Sequence, residues 1–192
     1  MCPCQIFKFS ETKIVVGRDS PLKLKMIPIE TFEREKLYDF AGKLLNARKA
    51  HSVLDVACGD GKGVGIIASA LDDITGLDLD QRLIEKARIN FLYPNVHFAV
   101  GDARKTKFPD AAFDAAVSSH TLEHFYENDQ KLFLSEVRRI LKPKGCLVLA
   151  TPDRDVWKLQ GIAGMQEDHL RELNRFEAEG LIRECGFEIQ EI

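Results

Sequence analysis

Apolar residues recur along the chain in two rhythms. Between residues 31 and 48, Phe32, Leu37, Phe40, Ala41, Leu44 and Leu45 fall at helical spacing behind Thr31, a good helix N-cap. From residue 52 onward, short apolar runs alternate with amphipathic stretches. Val53 to Val56 read as a buried strand, and Val64 to about Leu71 as a helix. Ile74 to Leu77 give a second strand ending in Asp78, and Gln81 to Asn90 a second helix capped by Asp80. Val96, Phe98 and Val100 alternate as a third strand, and Phe113 to Ser118 form a fourth. Asp129 to Leu141 make a long amphipathic helix, and Cys146 to Thr151 a fifth strand after a turn at Lys142-Pro143-Lys144-Gly145. Asn174 to Glu177 has the form of a capping box, opening a helix that runs to Cys185 and stops at Gly186. Phe187 to Ile192 read as a last strand. Strands alternating with helices predict an α/β fold, a doubly wound and mostly parallel sheet with helices on both faces.

The first 50 residues break this rhythm. Gln5 to Phe9 and Lys13 to Val16 are strand-like and separated by Ser10-Glu11-Thr12, which predicts a hairpin, and Pro21 and Pro28 bracket an irregular link. The expected organisation is a single domain: residues 1–50 as an N-terminal hairpin and helix, and residues 51–192 as the core. The helix serves either to pack against the core or as a lid on a pocket.

Composition narrows the class. A chain of 192 residues with 45% hydrophobic and 30% charged content can bury its own core as a soluble domain. A net charge of −3 speaks against general binding to nucleic acid or to an anionic membrane. No segment approaches the roughly 20 apolar residues of a membrane span, and no basic-then-apolar leader is present. The cysteines Cys2, Cys4, Cys58, Cys146 and Cys185 are odd in number; Cys2 and Cys4 are too close for an ordinary disulfide, and no second Cys/His cluster completes a zinc site. Reduced cysteines in a cytoplasmic protein, and no metal site, are the expectation.

The chemistry gathers where strands end. Val56 runs into Ala57-Cys58-Gly59-Asp60-Gly61-Lys62-Gly63, and strand, glycine turn, helix lets backbone approach a ligand closely. Asp55 and Gly59, Asp78, Asp102 and Ser118-Ser119-His120 follow at four consecutive strand ends, where doubly wound sheets bind ligands. Asp78 lies where an acidic side chain can accept both hydroxyls of an adenosine ribose. Asp102, in Gly101-Asp102-Ala103, can accept from the exocyclic adenine amine, the Ala103 N–H can donate to a ring nitrogen, and Leu79 can cover one face of the base. Neither Gly59 nor Gly61 starts a G-x-G-x-x-G frame, and Gly63-x-Gly65-x-x-Ala68 matches its alanine-ended form only inside the expected helix; a G-x-x-x-x-G-K-[ST] frame is also lacking. Dinucleotides and triphosphates are thereby disfavoured. Asp60 inside the turn would repel a pyrophosphate and tolerate a ligand carrying positive charge.

In order and spacing, the run Val53 to Gly61, Gly76-Leu77-Asp78, Gly101-Asp102-Ala103, Phe113 to Val117 and Leu141 to Gly145 resembles the motifs of class I S-adenosylmethionine-dependent methyltransferases. The resemblance covers residues 52–151, and Gly186-Phe187 is similar to the family's C-terminal segment. It implies a Rossmann-like methyltransferase fold with S-adenosylmethionine as cofactor and S-adenosylhomocysteine as product. It further implies that Ala57, Cys58, Gly59 and Gly61 hold the methionine moiety, that Asp55 positions its amino group, and that Ser118 lies near that end. The acceptor class left by the absence of nucleic-acid or catechol-type signatures is a small molecule, or a sugar or lipid headgroup. Thr151-Pro152-Asp153 leans the same way.

His120 is the favoured general base, ahead of His124, with Glu123 as a cap or hydrogen-bond anchor. His169 is expected in solvent or in the acceptor loop, His51 and His97 at the surface, and Trp157 either in the pocket wall or in ordinary packing. The family sheet usually ends in an antiparallel strand that this chain lacks, so residues 1–30 or a second copy in a homodimer should cover the edge. The competing reading is a non-catalytic S-adenosylmethionine-binding subunit that stabilises or activates a partner. An aminopropyl transferase would need added acidic residues where Ser118-Ser119-His120 stands, and a nucleotide-dependent dehydrogenase fails on the glycine frame.

Overall fold

The run Val53 to Val56 becomes the strand about which the sheet is wound. In a computed structural model that describes residues 11–17, 34–159 and 168–190, it is strand β2 (Ser52–Val56), with β3 (Asp73–Asp78) parallel on one side and β5 (Phe113–Ser119) parallel on the other. The chain moves outward from β3 to β4 (Val96–Val100), then crosses back to β5 and on to β6 (Leu141–Pro152). Sheet order therefore reverses at β2, the switch point at which α/β sheets open a crevice beyond their strand ends.

Strand β1 (Glu11–Gly17) runs antiparallel between β6 and the terminal β7 (Glu188–Gln190), with Val15 opposite Val148 on one side and Gln190 on the other. The slot expected to lack its strand is filled by the chain's own N-terminal segment. Among the described residues, the sheet edges are β4 and β7. Gln5 to Phe9 and the Thr31 cap lie outside the described residues.

Alternation along the strands sends successive side chains to opposite faces. Val53, Ala115, Val117, Val148 and Ala150 pack under α1 (Arg34–Ala47) and α2 (Lys62–Ile67), with Ile84 of α3 (Gln81–Asn90). Leu54, Val56, Ala116, Leu147 and Leu149 pack under α4 (Glu127–Ile140) and α6 (Arg175–Glu184). A short helix α5 (Arg154–Leu159) follows β6. Helix α3 starts at the predicted Asp80, whose carboxylate accepts from the Arg82 N–H, and the predicted capping box at Asn174 is present with both of its hydrogen bonds.

The expected turn at Lys142–Gly145 is instead part of β6. The pairing with β5 shifts register between Phe113 and Ala115, and Lys144 sits at φ 67°, so the Pro and Gly mark a bulge rather than a chain reversal. The helix after β2 is also shorter than expected: α2 ends at Ile67, and a 3₁₀ turn, Ala68–Ala70, completes it.

Candidate functional site

The turn after β2 takes its shape from three residues in the left-handed region. Ala57 (φ 61°), Gly59 (φ 58°) and Gly61 (φ 81°) alternate, so the loop curls tightly between β2 and α2. The Cys58 N–H donates to Leu77 O (2.9 Å), and the Gly61 N–H donates back to Cys58 O (3.1 Å). A Cβ on Gly61 would press on Ala87 and Phe98 at 2.8–2.9 Å, whereas one on Gly59 would meet nothing within 4 Å. The loop is packed behind Gly61 and open in front of Gly59, a cradle for a ligand that needs backbone at close range.

Asp78, at the end of β3, ties this loop to the next. Its Oδ2 accepts from the Gly59 N–H at 2.8 Å and its Oδ1 from the Asp80 N–H at 2.9 Å. A carboxylate has about four acceptor sites, so both oxygens retain capacity for a diol. Beside it the apolar side chain of Leu79 is 68% exposed. Gly101 follows β4, and its N–H donates to Asp78 O at 2.9 Å, so the third strand end is bonded to the second.

Asp102 is held by its neighbour. Arg104 donates Nη2–H to Oδ2 (2.7 Å) and Nε–H to Oδ1 (3.0 Å), and this guanidinium keeps the Asp102 carboxyl below the usual carboxylate range. Arg104 also pairs with Asp129 (3.1 Å) and lies 5.6 Å from the centre of the Phe125 ring. Ala103 is buried beside them. Asp60 faces Lys86 (3.1 Å) and Lys62 (3.4 Å); burial raises its pKa, but the hydrogen bond from Lys86 and the two cations outweigh this and hold it below the ordinary value. Burial pushes the Cys58 thiol up, far from a reactive thiolate, which fits a packing role within the turn.

Asp55 is wholly buried on the α1 side of β2, and both its oxygens lie 3.0–3.1 Å from Tyr38 Oη. Nothing local in the sequence marks Tyr38, because its partner lies 17 residues away on β2. Removing that hydroxyl in Tyr38→Phe deprives a buried carboxylate of a donor and should cost roughly 1–3 kcal/mol of stability. Urea denaturation of the variant checks this.

The end of β5 carries Ser118, Ser119 and His120. Ser118 is fully buried, with Oγ donating to Thr121 Oγ1 at 3.0 Å. His120 stands at φ 53°, its N–H bonded to Ala150 O, and its Nδ1 lies 3.1 Å from Oε1 of the fully buried Glu123. Glu123 is the anchor expected: Oε2 accepts from Thr151 Oγ1 (3.0 Å), and its backbone O accepts from the N–H groups of Leu170 and Arg171. Of the two places expected for His169, solvent is the one the structure rules out. The residue is buried at 8% exposure rather than solvated, because its Nδ1 meets Glu172 Oε1 at 2.6 Å. His124, half-buried, packs edge to face on it. His51 and His97 are exposed. The side chain of Trp157 lies outside the described residues.

Asp55, the Ala57–Gly61 turn, Asp78, Gly101 and His120 thus converge at the C-terminal ends of neighbouring parallel strands. Sheet order, switch point and glycine turn define a Rossmann-like fold of the methyltransferase type. The family model described as a methyltransferase domain matches residues 53–145. A Mycolicibacterium smegmatis protein, described as a probable S-adenosylmethionine-dependent methyltransferase, is 32% identical over 78% of this chain and 56% of its own length. The O-methyltransferase cnsE of Penicillium expansum is 29% identical over 82% of this chain and 59% of its own. The crystal structure of the PH0226 protein of Pyrococcus horikoshii superposes with a TM-score of 0.67 at 27% identity, covering 78% of this chain and 80% of that one. Over residues 53–145 and to relatives of 29–32% identity, the chain is thus similar to S-adenosylmethionine-dependent methyltransferases. It spans about half the length of the curated relatives it matches. Among the described residues, no helix is long and apolar enough to cross a membrane.

Proposed function

We propose that the protein moves a methyl group from S-adenosylmethionine to a small-molecule, sugar or lipid-headgroup acceptor by in-line displacement. The observation that carries this is the linkage of the open Gly59 turn to the Asp78 carboxylate at the switch point. Bound there, the cofactor supplies a methyl on a positively charged sulfonium. The turn from Ala57 to Gly61 holds its methionine end, and Asp55 faces the amino group. Asp78 accepts from the ribose hydroxyls. Leu79, Asp102 and Ala103 flank the adenine, and Ser118 belongs to the wall at the methionine end. The main work of the protein in such a reaction is to align the acceptor and to exclude water.

An acceptor that loses a proton on methylation needs a base, and His120 takes that role. Its Nδ1 lies 3.1 Å from Oε1 of the buried Glu123 carboxylate, an electrostatic contact that positions the ring. The name of the Penicillium relative supports an oxygen acceptor of this kind. The reading as a non-catalytic partner subunit is disfavoured, because both the turn and Asp78 are intact.

The test is transfer of labelled methyl from S-adenosylmethionine into small-molecule and glycolipid extracts. Once an acceptor is found, His120→Ala should lower kcat by roughly a hundredfold or more while leaving cofactor affinity unchanged. Full turnover in that variant would remove His120 from the chemistry.

A further inference from the structure

Beside the end of β5, three side chains meet that methyl transfer leaves without a joint task. Glu123, His124 and His169 each bring one ligating atom to within 4.8 Å of those of the other two. Glu123 and His124 come from one 3₁₀ turn, Leu122–His124, and His169 from the segment leading into α6. We propose that these three form a binding site for one divalent transition-metal cation of the zinc class.

Both imidazoles already have a partner on Nδ1. His169 Nδ1 lies 2.6 Å from Glu172 Oε1 in a pair that is almost wholly buried, and His124 Nδ1 lies 2.9 Å from Asp168 O. When such a ring is neutral, an acceptor on Nδ1–H leaves the lone pair on Nε2, and carboxylate or carbonyl partners of this kind orient metal-ligating histidines. The rings stand edge to face with centroids 5.2 Å apart.

The carboxylate supplies the charge. Glu123 is fully buried; Oε2 accepts from Thr151, and Oε1, though 3.1 Å from His120 Nδ1, accepts no hydrogen bond among the described residues. A buried carboxylate oxygen without a donor is costly, and a cation offsets that cost. The backbone bonds from Leu170 and Arg171 to Glu123 O hold the two ligand-bearing segments together before any cation arrives. Two imidazoles and one carboxylate suit zinc and its neighbours rather than magnesium or calcium. Tetrahedral coordination at about 2.0–2.2 Å would draw the cluster slightly inward and leave one position for water or another oxygen ligand.

Chelator-treated protein, without S-adenosylmethionine, is titrated with zinc chloride by calorimetry and with cobalt(II) by visible absorption. One equivalent should bind at micromolar Kd or tighter, zinc should raise the melting temperature, and the cobalt spectrum should show no thiolate band. His124→Ala and His169→Ala should each lower zinc affinity at least a hundredfold. Glu172→Gln, which leaves all three ligands in place, should lower it roughly tenfold. Melting curves of the metal-free variants separate loss of ligand from loss of fold; His124, half-buried, is the variant expected to keep the fold. No saturable zinc binding by the unaltered protein would overturn the proposal. So would a thiolate band, or unaltered affinity in both histidine variants.

Discussion

Replacing Asp78 by alanine is expected to weaken binding of S-adenosylmethionine by about 10²–10⁴-fold. Each hydrogen bond to a charged group contributes roughly 1.5–3 kcal/mol, and two from a ribose diol give about 3–6 kcal/mol. A second loss adds to this, because Asp78 holds the Gly59 N–H at 2.8 Å and the Asp80 N–H at 2.9 Å. The alanine variant therefore loosens the turn as well as the ribose contact. Asp78→Asn keeps an acceptor of the same size without the charge and should fall between the two. Calorimetry on the three proteins gives the order. Equal affinity in all three would move the ribose away from the end of β3.

Gly63→Ala should cost roughly 3 kcal/mol of stability or more. An added Cβ would stand 2.1 Å from Tyr38 Cζ and 2.3 Å from its Cε1, well inside contact distance. Tyr38 is buried at 3% exposure, and its hydroxyl is engaged with Asp55, so the ring has no room to retreat without releasing that carboxylate. Overpacking a core typically costs 1–3 kcal/mol, and here a polar contact goes with it. Gly65→Ala is the informative contrast. Its Cβ would stand 2.3 Å from Phe91 Cε1, but Phe91 is half-buried and borders a surface cavity, so its ring can swing aside. Its expected loss is below about 1 kcal/mol. Equal losses in the two variants, measured by urea denaturation, would contradict the wedging of Tyr38 between α2 and Asp55.

The parallel core was legible because each strand there is a short apolar run closed by a polar residue. Val53 to Val56 and Ile74 to Leu77 need no partner to be recognised. The neighbours of β1 were not legible. Lys13 to Val16 announces a strand, but nothing local says that it inserts antiparallel between the fifth parallel strand and the last. Lys142–Gly145 misled for the opposite reason: Pro143 and Gly145 usually mark reversals, and here they serve a bulge with Lys144 at positive φ. At the site, Asp78 and Asp102 could be read from their place after strands. Tyr38 on Asp55 and His169 beside His124 could not, since each pairing joins segments far apart in the chain.

The most direct measurement is calorimetric titration of S-adenosylmethionine into the unaltered protein. One saturable site of micromolar affinity, weakened in Asp78→Ala, is the predicted result. Absence of saturable binding by a folded sample would contradict the cofactor site built on the Gly59 turn and Asp78.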